Sequence, residues 1–273
     1  MGTPTFYFTL HPGDMIKARI LDGAHVMAVA SSQWDDERGR FRVRRPPAAC
    51  IASMCVDSGG FTAAKRWGHY PWDYEQYADF VRAVSRDTPL DFCAVMDYAC
   101  EPAVDRSVYR TNRERIKATI RNEAACKEAA PDLPWLPVLQ GDSLEERVFD
   151  LAMRLRVGML PTAYAGIGSL CGRGVTPARH VVRFYKDRLP SVRFHGFGMH
   201  VQALDDDTVY SVIRSWDSYG WTWGRGQKDV DRPAECYHRP EESWTVYTHR
   251  MAQFYWDNVV SPRLLAPRQM VLL

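Results

Sequence analysis

The chain has 273 residues, 46% hydrophobic and 25% charged, a balance that excludes disordered and fibrous classes and is long enough to bury a sizeable core. Lys and Arg number 35 against 33 Asp and Glu, so the net charge of +2 singles out no class of partner. No run approaches the ~18 consecutive apolar residues of a membrane helix, and the opening MGTPTFYFTLHPGD lacks a basic segment followed by an apolar one, so the expectation is a cytoplasmic protein that spans no membrane.

In chain order, strand-like apolar runs fall at 25–30, 51–56, 92–96, 136–139, 163–167, 192–197 and 209–216. Between them lie amphipathic stretches at 74–86, 106–129, 144–156, 177–188 and 241–258 that read as helices. Strands alternating with helices argue for βαβ units and a parallel sheet. No GxGxxG follows the first run, which leaves a dinucleotide-binding sheet without support. Chemistry-bearing residues instead close one run after another: Asp57, Asp97, Gln140, Gly168, His195 to Gly198, and Asp217. A site drawn from the C-terminal ends of many strands is the arrangement of a (β/α)8 TIM-like barrel, whose usual length of roughly 250 residues suits this chain. With no repeat, low-complexity tract or linker, residues 1–273 read as a single domain.

Seven cysteines without framework spacing suit free thiols, and no CxxC pair occurs. Cys236, His238 and His249 supply three ligands where a structural zinc wants about four, so no metal is expected. The 35 basic residues divide into 29 arginines and 6 lysines. Codon usage of a GC-rich genome accounts for such a bias, and so does phosphate contact, for which the guanidinium fork is well shaped. Arg38, Arg40, Arg42 and Arg44 alternate, so an extended strand would project them from one face. Arg106, Arg110, Arg113, Lys117 and Arg121 recur at helical spacing, as on a solvated helix face or a backbone-gripping stripe.

Asp57 follows an apolar run and precedes Ser58, Gly59 and Gly60, where missing side chains let a ligand approach the backbone. An Asp-Ser turn with glycines for positive φ explains that motif alone equally well. Asp217 ends another apolar run beside Trp216, Trp221 and Trp223, aromatic surroundings that exclude water and stack on rings. With Asp97, these carboxylates suit glycosidic chemistry, in which one acid attacks and another moves protons.

The segment VDSGGF at 56–61 resembles the signature of the tRNA-guanine transglycosylase superfamily. The order of the rest agrees: MDYACEP with Asp97, VLQG with Gln140 and Gly141, AGIGSL with Gly168, Ser169 and Leu170, HGFG from His195 to Gly198, and SWDS with Asp217. The resemblance implies base exchange at a guanine nucleotide. In it Asp217 attacks the sugar C1′ to form a covalent glycosyl-enzyme, and Asp57 is the general acid/base. It further implies that Phe61, Asp97, Gln140, Gly141, Gly168, Ser169, Leu170, His195 and Gly198 bind the base. Neither metal nor redox cofactor is implied. A free 7-deazaguanine derivative would be the incoming base, and dimerisation is a family habit.

The sequence departs from the tRNA enzymes in having no CxCxxC zinc segment after Asp217, in carrying Asp97-Tyr98-Ala99-Cys100-Glu101-Pro102 with one residue extra, and in the run after Asp217. The compact size and the missing zinc segment resemble the shorter branch that modifies DNA in bacteria and phages, without a separate zinc subdomain. DNA is therefore the expected partner, contacted by Arg38, Arg40, Arg42, Trp221, Trp223 and Arg225. The alternatives are a tRNA enzyme without its zinc segment, a non-catalytic nucleic-acid-binding homologue, and a barrel glycosidase of another family.

Overall fold

A computed structural model describes residues 2–11, 22–104, 108–218, 239, 241 and 243–265. Its main sheet is wholly parallel and built from β1 (Thr5–Leu10), β2 (Ala24–Val29), β5 (Ile51–Asp57), β6 (Leu90–Ala94), β7 (Trp135–Leu136), β8 (Val138–Leu139), β9 (Tyr164–Ile167), β10 (Arg193–Gly196) and β11 (Ile213–Ser218). Two short strands, β3 (Trp34–Asp35) and β4 (Arg40–Phe41), pair apart as an antiparallel hairpin. The order around the main sheet runs β7-β6-β5-β2-β1-β11-β10-β9-β8. The two end segments are neighbours in sequence, separated only by Pro137, whose missing N–H cannot serve a ladder. They are one strand cut in two, so eight strand positions close a TIM-like barrel.

Helices α1 (Gly60–Arg66), α2 (Tyr74–Ser85), α3 (Asn112–Ala129), α4 (Leu144–Arg156), α5 (Val175–Arg188), α6 (Asp207–Val212), α7 (Trp244–Tyr255) and α8 (Ser261–Leu265) lie along the chain between and after the strands. The starts of α2, α3 and α4 are set by complete capping boxes, Asp73 with Gln76, Thr111 with Glu114 and Ser143 with Glu146. Among the described residues no helix is long and apolar enough to cross a membrane.

Tyr7, Met27, Val29, Cys55, Phe92 and Leu136 form one buried cluster within the barrel, distinct from the larger core in which Val56, Ile167 and Trp216 join Val81, Val182 and other helix residues. Behind β8 sits a buried ionic cluster. Arg154 donates to Glu123 (2.5 Å), Asp150 (3.0 Å) and the Val138 carbonyl (2.7 Å), tying α4 to α3 and the barrel wall. Asp150 in turn accepts from the Gln140 N–H at 3.3 Å, so the cluster anchors the turn that carries Gln140. Every polar atom of such a charged group needs a partner in a low dielectric, and here the guanidinium has three.

Two expectations are corrected. The run 209–216 is not one strand: Asp206 caps α6 by accepting from the Val209 N–H, and extended structure starts only at Ile213. A short apolar run does not reveal by its periodicity whether it is helix or strand. The arginine comb at 38–44 is not a continuous strand either, because β4 holds two residues and the chain turns at Asp36–Gly39. The buried Asp35 carboxylate accepts from Arg42 Nε at 2.6 Å and lies 3.7 Å from Arg38 Nε, drawing both toward the hairpin. All four arginines are nevertheless exposed. On α3, Arg113, Lys117 and Arg121 share an exposed face as their spacing suggests, but the helix begins at Asn112, so Arg110 precedes it, and Arg106 lies outside the described residues; Arg113 pairs with Glu145 and stacks on Phe149. Strand β1, helix α1 and the hairpin had no counterpart in the sequence reading.

Candidate active site

All the strand-end residues singled out from the sequence gather at the C-terminal mouth of the barrel. Asp57 is the last residue of β5, and its carboxylate accepts backbone N–H groups of Ser58 and Gly59. The turn that follows needs Gly59: its φ of +77° is left-handed, and a Cβ there would collide with the Ser31 side chain. Burial first, then the nearby charges of Asp97 and Asp217, raise the Asp57 carboxyl to about 8. It therefore carries a proton near neutral pH.

Asp97 lies three residues beyond β6. Its Oδ1 accepts from Ser58 Oγ at 2.9 Å and its Oδ2 from Gln140 Nε2 at 2.5 Å. Tyr70 braces this corner, with its hydroxyl donating to the Asp97 carbonyl at 2.6 Å and lying 2.8 Å from Ser58 Oγ. Burial raises the Asp97 carboxyl to about 6, against the lowering pull of these two donors. Two adjacent acids thus separate, one neutral and one ionised at pH 7, as general acids and anionic acceptors do in enzyme sites.

Asp217 points inward from β11. Thr9 Oγ1 of β1 donates to its Oδ2 at 2.9 Å, and the Gly198 N–H to its Oδ1 at 2.9 Å. His195 Nε2 lies 3.3 Å from the same Oδ1, and His195 Nδ1 is 2.6 Å from Ser215 Oγ, itself 2.6 Å from the Tyr164 hydroxyl. The carboxylate is thereby held at both oxygens by strands on either side of it.

His195 is 0% exposed, with both ring nitrogens taken by Asp217 and Ser215, so it lies beneath the carboxylate. The Gly198 N–H is likewise directed at Asp217. Leu170 is wholly buried in the main core, so only its backbone is on offer to a ligand. Gly141 backs onto Arg147 of α4. Phe61 opens α1 half-buried against Ala64, Ala99 and Val104, with the Lys65 ammonium 5.9 Å from its ring centroid. Trp221, Trp223 and Arg225 lie outside the described residues, as do Cys236 and His238.

Gly168 abuts the Gln140 amide so closely that a Cβ would overlap its nitrogen, carbon and oxygen. Gly168→Ala should therefore push Gln140 away from Asp97 and cut activity roughly 10²-fold, the scale on which a displacement of about 1 Å acts in preorganised sites. Steady-state rates alongside thermal melting would test this; unchanged rates would remove Gln140 from the site.

The sequence reading missed Thr9, Ser58, Tyr70, Glu101, Ser215 and Tyr164. Ser58, Glu101 and Ser215 stood inside quoted motifs, whereas Thr9 lay in a strand that was not recognised. Among the described residues no group of three or more His, Cys, Asp or Glu could hold a metal ion.

Compared with known families, residues 25–263 match the family described as DpdA: DeoxyPurine in DNA protein A. No curated protein matches the chain.

Proposed function

Because the chain belongs to the DpdA family, DNA-guanine transglycosylases within the tRNA-guanine transglycosylase superfamily, we propose that it replaces guanine in DNA with a 7-deazaguanine derivative through a glycosyl-aspartate on Asp217. The observation that carries this reading is the trio of carboxyl groups at one mouth, with Asp57 raised to about 8 and Asp97 to about 6.

The steps balance without an oxidant or reductant. An Asp217 oxygen bonds to C1′ as the bond from C1′ to the guanine nitrogen breaks, and that electron pair leaves with the base. Asp57 supplies the proton that makes guanine a neutral leaving group. The incoming base then returns a proton to the Asp57 carboxylate, and its nitrogen attacks C1′ and frees Asp217. A covalent intermediate splits one difficult substitution into two easier ones. Asp97 accepts base N–H groups, Gln140 meets the neighbouring edge, and Phe61 covers a ring face. The guanine must leave its stack to reach this depth. Exposed Arg38, Arg40 and Arg42 on the rim hairpin attract the phosphate backbone.

The test is to incubate the protein with labelled guanine and duplex DNA, single-stranded DNA or tRNA. Label should enter DNA and not tRNA. Entry into tRNA alone would overturn the choice of polymer, and entry into none would overturn base exchange.

A further inference from the structure

A buried hydrogen-bonded line continues past the residues used above. From Asp97 it passes through Gln140 Nε2 and Oε1 to Ser169 Oγ, 2.7 Å from Oε1, and on to Glu101 Oε2, 3.2 Å from Ser169 Oγ. The backbone N–H of Cys100 also donates to Ser169 Oγ at 3.0 Å. Gln140 and Ser169 are buried, and so is Glu101.

A serine hydroxyl has one hydrogen to give and two lone pairs to fill. The Gln140 amide must turn its nitrogen toward the Asp97 carboxylate, because a carboxylate only accepts. Its oxygen therefore faces Ser169 and requires that single hydrogen. The Gln140 oxygen, at 2.7 Å, takes that hydrogen ahead of Glu101 Oε2, at 3.2 Å, and the Cys100 N–H fills a lone pair of the same hydroxyl. Burial pushes the Glu101 carboxyl up, against a backbone hydrogen bond and the one from Ser169.

The backbone supplies a second, independent observation. Ser169 has φ of 55°, a left-handed conformation that glycine adopts freely and a side chain resists. Among the described residues it is the non-glycine residue with positive φ. Strain retained at a binding site points to a use for the side chain that causes it.

We propose that Ser169 is a specificity-determining residue: its hydroxyl locks the Gln140 amide with nitrogen toward Asp97, so the site takes a purine-like base with a carbonyl oxygen, not an amino group, beside that amide. A base with an amino group there presents a donor to a donor. To accept it, the amide must turn over and Asp97 must take up a proton, and the Ser169 hydroxyl opposes that turn. This rests on the base-exchange reading and names the edge of the base that the same pocket selects.

The experiment compares guanine with 2,6-diaminopurine, which share the 2-amino group and differ at the carbonyl position and at N1, where guanine alone carries a hydrogen; the change in preference on altering Ser169 is therefore the deciding quantity. Binding of each free base to the full chain is measured by equilibrium dialysis, with exchange into DNA run in parallel. The unaltered protein should prefer guanine. Ser169→Gly should lower that preference about tenfold, as befits one buried hydrogen bond left unmade, while its melting temperature stays equal or rises because the strain is relieved. Ser169→Ala should lower the preference equally with no relief of strain. An unchanged preference, or an equal loss of both bases, overturns the assignment of Ser169 even where guanine exchange persists. Failure of the unaltered protein to bind or exchange either base overturns the base-exchange reading itself.

Discussion

Asp217→Asn should abolish the covalent adduct with guanine-containing DNA and lower exchange by roughly 10⁴-fold or more, the scale seen when a nucleophile is removed outright. The substitution is nearly isosteric. An amide oxygen in the Oδ1 position still accepts from the Gly198 N–H, and its nitrogen can donate to Thr9 Oγ1, so the fold should survive. What disappears is the negative charge and the lone pair that bonds to C1′. Denaturing electrophoresis of protein mixed with labelled DNA reads the outcome directly, and a persistent adduct would move the nucleophile elsewhere. His195 sits one contact further down, so its loss should weaken the adduct without eliminating it.

Asp57→Asn should act on proton transfer, reducing exchange by roughly 10²- to 10⁴-fold, and it should also change how stability depends on pH. In the intact protein, exchange needs Asp97 ionised and Asp57 protonated, so its rate should fall below about pH 6 and above about pH 8. The sign for stability follows from the same shift. Asp57 binds its proton more tightly folded, at about 8, than its ordinary value of 3.8 allows. Stability from this group is complete below 3.8 and is lost as pH rises, by up to about 1.4 kcal/mol per pH unit across that interval. An asparagine cannot ionise and escapes the loss. The variant's melting temperature, relative to the parent, should therefore climb between pH 5 and pH 8. A difference that stays flat with pH would mean that Asp57 is not the buried acid assigned here. Lower activity with higher stability is the pairing expected where a site holds a group against its preference.

Much of the barrel was legible because its signals are local. Helices 74–86 and 144–156 carry capping boxes and apolar faces of the right period, and the structure begins them at Tyr74 and Leu144. Asp57, Asp97, Gln140, Gly168 and Asp217 were legible as strand-end residues because each follows an apolar run. What stayed hidden depends on partners distant in sequence. Thr9 matters through a bond to a residue 208 positions away, and Glu101 through Ser169, 68 positions away. His195 was visible as a motif residue, but its place beneath Asp217 comes from β10 and β11 lying side by side. The hairpin arginines show the reverse case, where a regular alternation met a buried Asp35 that the spacing could not reveal.

The bond from Thr9 to Asp217 also joins the beginning of the barrel to its end. Tyr7 pairs with Asp217 across β1 and β11, so the proposed nucleophile is completed by a strand partner 208 positions away in the chain. Contacts of such long sequence separation form late and slowly, since much chain must be closed into a loop first. If Asp217 is the nucleophile proposed above, a half-folded chain lacks a finished one and should form no adduct with a nucleic acid. Recovery of adduct formation during refolding would time the moment at which the ring of strands shuts.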